Sequence, residues 1–272
     1  MVTLLNQSEY LMKGMWYGEI QNTNVAQLRE LILNNNANER ELVINLVEVF
    51  KLGDFSLKNI LINLMNTTKD ESVLNLCIRA FSSIATAKDI HGIDNFVFLE
   101  NASDNAVSTF LSCTDDFLSY EIVPHLLALL EIWEDIDNID IQIRDSLETM
   151  LGFRDELGED AELDEIGNYY LEYIESEEIN LNAYYYDKKL FFPGNLTKPL
   201  LECATSARYL RKKLKTYTIP SLLSIWSGKK CPVEYHTLVT DELYRDTLNY
   251  VQTLSEMEWE LGKKYFYGHL IQ

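Results

Sequence analysis

The sequence predicts an all-α protein, a solenoid of antiparallel helix pairs, on three observations. Apolar residues from Val25 to Ala85 recur three and four positions apart, as on one helix face. Chain breakers are scarce, with 11 Gly and 5 Pro in 272 residues, which disfavours a many-turned β-sandwich or barrel. A helix pair also returns about every 33 residues. With 47% hydrophobic and 24% charged residues, the chain can bury a sizeable core without disulfides.

The first stripe is Val25, Leu28, Leu31 and Ile32, and the second runs Leu42, Val43, Leu46, Val47, Phe50 and stops at Gly53, a residue suited to a helix C-terminus. A third holds Leu57, Ile60, Leu61, Leu64 and Met65, and a fourth Val73, Leu74, Cys77, Ile78, Phe81 and Ile84. Asp54 or Ser56 is expected to cap the third helix, and Asp70 or Ser72 the fourth, because a side-chain oxygen there accepts from first-turn amides. The repeat aligns Leu28 with Leu61, Leu31 with Leu64 and Val43 with Leu76, and doubled it takes Leu61 to Leu127 and Leu64 to Leu130. One copy, His91 to Cys113, is degenerate. There the run Phe96-Val97-Phe98-Leu99 replaces a first helix.

Cys77-Ile78-Arg79-Ala80-Phe81-Ser82-Ser83-Ile84 resembles the second helix of HEAT repeats, and Gln142-Ile143-Arg144-Asp145-Ser146-Leu147 repeats its beginning. Pro124 near the start of a first helix fits the same pattern, since proline is tolerated in a first turn. The resemblance implies a HEAT-like region over residues 1–154. Residues 155–272 are then read as an acidic connection followed by a Tyr-rich helical region packed on the solenoid. Within 155–165, DELGEDAELDE reads as a solvated loop. Thirteen of the 16 tyrosines lie beyond it, including Tyr169, Tyr170, Tyr173 and the run Tyr184 to Tyr186, suited either to helix packing or to an interface.

Net charge is −20, and its distribution is uneven. Between Glu131 and Glu178 lie 18 acidic residues against Arg144 and Arg154, so this segment carries −16 while the rest of the chain is nearly neutral. Such a surface repels nucleic acid and anionic lipid and speeds encounter with basic proteins. It also serves simply as a solvated face. Lys198 to Lys230 is basic, and internal pairing with the acidic segment is the expected use of that charge.

Chemistry is not supported. Cys77, Cys113, Cys203 and Cys231 have no C-x-x-C spacing, and His91, His125, His236 and His269 form no metal-ligand pattern. Glu121 and His125 are read as a surface contact. Asp135, Asp137 and Asp140 only faintly suggest a calcium loop, with Ile139 and Asp140 where a fifth-position ligand and a glycine are needed. No phosphate-binding glycine loop or nucleophile elbow is present, and Ser227-Gly228-Lys229-Lys230 is a fragment only. The expectation is a non-enzyme without cofactor or metal. Its opening residues lack a basic region before the apolar ones, and no apolar run is long enough to span a bilayer, which places it in the cytoplasm away from membranes.

Acidity, modest size, degenerate helical repeats and the aromatic end Trp259 to Gly268 together resemble the immunity proteins of bacterial polymorphic and contact-dependent toxin systems. That resemblance implies a dedicated toxin domain as partner, with basic character and nuclease activity as the expectation. Asp135, Asp137, Asp140, Glu148, Asp155, Glu156, Glu159, Asp160 and Glu162 would occupy the toxin's active site, and Tyr169, Tyr170 and Tyr173 would anchor it. A HEAT-type scaffold without a toxin partner is the alternative, and an enzyme with a scattered site is a third reading.

Overall fold

The computed structural model describes residues 16–34, 38–133, 136, 138–216 and 218–272. In chain order its helices are α1 (Val25–Leu33), α2 (Glu39–Lys51), α3 (Lys58–Thr67), α4 (Glu71–Ile84), α5 (Ala87–His91), α6 (Asp104–Ser112), α7 (Thr114–Phe117), α8 (Val123–Trp133), α9 (Ile139–Leu151), α10 (Arg154–Leu157), α11 (Leu163–Ser176), α12 (Gly194–Tyr209), α13 (Ile219–Ser227) and α14 (Asp241–Ser255). Two-residue strands form two antiparallel hairpins, β1 (Tyr185–Tyr186) with β2 (Lys189–Leu190) and β3 (Tyr265–Phe266) with β4 (His269–Leu270). The protein is all-α. Two compact units are formed, one from residues 1–61 with 191–272 and the other from residues 62–190.

The four N-terminal stripes fold as helices, two of them with the expected ends. Asp70 caps α4, its Oδ1 accepting from the amides of Ser72 and Val73, and Gly53 takes a positive φ of 80° just past α2. Asp54 does not cap α3. Its carboxylate instead accepts from the amide and hydroxyl of Ser56 and pairs with Arg29 at 2.6 Å. Leu28, Leu61, Leu64, Val43 and Leu76 are buried as the repeat requires, but Leu31 is 48% exposed.

In the first unit, α1 packs on α2, and α12 packs on α13 and α14. Lys51 is 1% exposed, and its ammonium donates to Glu48 (2.7 Å) and to the carbonyls of Tyr17 (2.7 Å) and Glu19 (3.3 Å). The other Glu48 oxygen accepts from the Gln21 amide, so one buried ion pair fixes the chain entering the unit. Tyr267 closes the same corner, stacked on Trp16 and donating to the Gly18 carbonyl.

In the second unit, α4 packs on α6, α6 on α9, α9 on α8 and α8 on α11. Its core is aromatic, with Phe81, Phe96, Phe110 and Phe117 in mutual edge or tilted contact. Phe96 and Phe98 are both buried in it. Residues Ile93–Asn101 form 3-10 turns with a kink at Phe96.

The Tyr-rich C-terminal region holds helices α11 to α14 as expected, but its aromatic runs form hairpins. Tyr185-Tyr186 and Tyr265-Phe266 are strands, each following a long helix, and each hairpin turns through two positive-φ residues, Asp187-Lys188 and Tyr267-Gly268. The two helix–hairpin modules correspond at their hairpins and at two tyrosine positions. Tyr170 and Tyr250 are the buried tyrosines of α11 and α14. The hydroxyls of Tyr185 and Tyr265 each accept the amide five residues earlier, from Asn180 and Glu260.

Candidate functional site

The acidic segment runs from the end of α8 through α9, α10 and α11, all in the second unit. Asp135 and Asp137 lie outside the described residues. The segment's two cations act as staples within it. Arg144 Nε meets Asp140 at 2.9 Å and its Nη1 donates to the Ala161 carbonyl at 2.7 Å, tying the loop before α11 to α9. Arg154 reaches Asp145 (2.8 Å) and Glu159 (2.9 Å), the second as a charge contact without hydrogen-bond alignment. Its amide donates to Glu148 at 2.9 Å. Glu162 starts α11 in a reciprocal cap with Glu165.

Asp140, Glu148, Glu159 and Glu162 thus hold the local structure. Asp155, Glu156 and Asp160 are exposed and make no ion pair among the described residues. The 155–165 stretch is solvated as expected up to Glu162, apart from buried Ala161, but Leu163 to Glu165 already belong to α11.

The three tyrosines differ. Tyr170 is buried, donates to the Tyr120 carbonyl at 3.3 Å, and has its phenol pushed up to about 12 by desolvation and then by the Glu121 charge. Tyr173 is half-buried, with its hydroxyl 3.1 Å from that of Tyr120. Tyr169 stacks on Tyr173 and lies in the field of the acidic residues: desolvation, then Glu156, Tyr173, Glu148 and Asp155, raise its phenol above the ordinary value. The sequence reading missed the apolar side chains exposed amid these carboxylates, Ile141 on α9 and Leu171 on α11. Their helical phase, off the stripes that bury Ile143 on α9 and Ile166 and Tyr170 on α11, is the signal that would have found them.

The Glu121–His125 contact is corrected. Glu121 meets His91 at 3.1 Å, while half-buried His125 donates from Nε2 to the Ile90 carbonyl at 2.7 Å and lies in tilted contact with the Phe96 ring. Among the described residues no group of three His, Cys, Asp or Glu is placed to hold a metal ion. Cys77, Cys113 and Cys231 are buried, and burial pushes the Cys113 thiol up to about 11. No helix among the described residues is long and apolar enough to cross a membrane. The paired cations of the basic stretch find carboxylates in their own unit, which corrects the expectation that they neutralise the acidic segment. Arg208 pairs with Asp241, Lys198 with Glu202 and Lys230 with Glu234.

The site is thus a braced acidic surface with exposed apolar side chains, an arrangement suited to binding a protein. No curated protein and no solved structure matches the chain. A family model, Immunity protein 47, matches residues 11–271, nearly its whole length. The chain belongs to the Immunity protein 47 family and is an immunity protein of a toxin system.

Proposed function

We propose that this protein neutralises a cognate toxin by laying the acidic surface of α9 to α11 over a basic active-site cleft, as found in nucleases. The observation that carries this reading is the division of labour among the carboxylates. Some are consumed in bracing the segment through Arg144 and Arg154, and Asp155, Glu156 and Asp160 are left exposed on that braced frame. Carboxylates held in place lose less freedom on binding than mobile ones. A toxin cleft that must hold phosphate presents Lys and Arg, for which these carboxylates stand in place of the substrate backbone.

Charge would set the rate and specificity of encounter, and buried apolar contact would slow release. Tyr169 is the anchor this geometry favours. Tyr170 and Tyr173, bonded to Tyr120, support α11 from behind. On this reading the protein acts in the cytoplasm without catalysis or cofactor, and touches neither nucleic acid nor membrane.

The test is a steady-state assay of the toxin with a nucleic-acid substrate at several inhibitor concentrations. Occlusion predicts competition, with inhibition overcome by substrate. Inhibition that is insensitive to substrate concentration at matched pre-equilibration would contradict it.

A further inference from the structure

The first unit carries a surface of opposite character. From Cys203 to Val233 the chain has no Asp or Glu but seven Lys and Arg. Arg208 is committed, paired with Asp241 and lying over the Tyr244 ring. Arg211, Lys212, Lys213 and Lys215 are exposed and make no ion pair among the described residues. They follow α12 directly, where Arg211 turns the chain with a φ of 51° and Lys213 bridges to Leu238. Along the outer face of α12 runs a shallow, open groove of about 630 Å³, lined by that helix alone: Leu201, Thr197 and Thr205, the Lys198–Glu202 pair, and Tyr209 at its C-terminal end. Tyr209 is 87% exposed, and Leu210 and Leu238 are also uncovered. A shallow groove with Leu201 and Tyr209 as its apolar contacts, ending in a cationic corner, fits a helix that carries an apolar residue flanked by carboxylates.

The same chain carries such a helix. On α11, Asp164, Asn168, Leu171 and Glu175 share one outward stripe with Glu172 beside it. Leu171 is 64% exposed, and Asp164, Glu172 and Glu175 make no ion pair among the described residues. We infer that two copies of this chain associate, the α11 face of one seated in the α12 groove of the other. Leu171 packs against Leu201 and Tyr209, and Glu172 and Glu175 meet Lys212 and Lys213. The contact is heterologous, so every copy carries both halves. The net charge of −20 opposes approach of two copies. At physiological ionic strength that repulsion is screened beyond about 8 Å, so the local complementarity of the two faces decides the contact. The inference does not rest on the toxin reading.

Complementary charge reversal tests it. Variant one carries Lys212→Glu and Lys213→Glu and keeps its α11 face; variant two carries Glu172→Lys and Glu175→Lys and keeps its α12 groove. All four positions are exposed, and circular dichroism verifies that each variant folds. Sedimentation velocity of the full chain at physiological salt should show self-association of the wild type. Each variant alone should associate at least about 30-fold more weakly, as expected for like charges in contact. An equimolar mixture should recover association, because each α11 face of one variant then meets an α12 corner of opposite charge on the other. A wild type that stays monomeric throughout the concentration series would overturn the inference, as would variants that associate like the wild type or a mixture that recovers nothing. If the wild type is monomeric and variant one loses affinity for the toxin or for vesicles of anionic lipid, the groove belongs to that partner and the inference fails.

Discussion

Replacing Arg144 with Met should loosen the acidic segment far more than replacing Arg154 with Met, although each removes one positive charge from it. Arg144 donates to the Ala161 carbonyl and pairs with Asp140 while itself mostly buried. A charge-assisted bond to a carbonyl is worth about 1.5–3 kcal/mol, and a partly exposed pair four residues apart adds about 0.5–1 kcal/mol. Met keeps much of the aliphatic packing, so the expected loss for Arg144→Met is about 2–4 kcal/mol. The carboxylates held by Arg154 are 58% and 76% exposed, which limits Arg154→Met to at most about 1 kcal/mol. Urea denaturation gives the two losses, and amide exchange from Gly158 to Ile166 locates them, because the loop before α11 is what Arg144 holds. Equal losses for the two variants, or an Arg144→Met protein that keeps wild-type exchange in that loop, would refute the reasoning.

Three further outcomes follow from the geometry. Lys51→Met leaves the Glu48 carboxylate buried without its cation and should cost about 3–5 kcal/mol in urea denaturation; adding Glu48→Gln should recover at least about 1 kcal/mol of it, since the two changes are coupled. Burial raises the phenols of Tyr120, Tyr250 and Tyr267 and takes Tyr170 to about 12. The unfolded chain therefore releases these protons first, near pH 10, and stability should be intact below that pH and fall as pH rises towards 12. Phenolate absorbance measured beside the unfolding midpoint tests this, and tyrosines that all ionise freely in the native protein would contradict it. Gly228 has a φ of 71° and would place a Cβ 3.1 Å from the Tyr267 backbone, so Gly228→Ala should lower stability by about 1–2 kcal/mol in thermal unfolding.

What the sequence made legible and what it hid have physical reasons. The α1 to α4 helices were readable because Leu28, Val43, Leu61, Cys77 and Phe81 each need a buried side of a helix, and periodicity reports that need directly. The Asp70 cap and the Gly53 terminus are local chemistry, readable within a few residues. The hairpins were hidden because Tyr184 to Tyr186 does not alternate apolar with polar, and their turns use Asp187-Lys188 and Tyr267-Gly268 in place of the Asn-Gly that signals such a turn. In the candidate site, concentration of charge was visible, but its division was not. Which carboxylates Arg144 and Arg154 consume depends on where α9, α10 and the following loop meet in space. Tyr170 looked as available as Tyr169 until α8 and α11 placed it against Tyr120.

The proposed role of the acidic surface is tested most directly by the association rate with the cognate toxin. Asp155→Asn, Glu156→Gln and Asp160→Asn together remove three exposed charges and leave the Arg144 and Arg154 contacts in place. Stopped-flow or surface-binding kinetics across a range of salt should show association slowed by about tenfold or more, a flatter salt dependence and a dissociation rate that changes little. Unchanged association and an unchanged salt dependence in the triple variant would mean that the acidic face is solvated surface and that the toxin is held elsewhere.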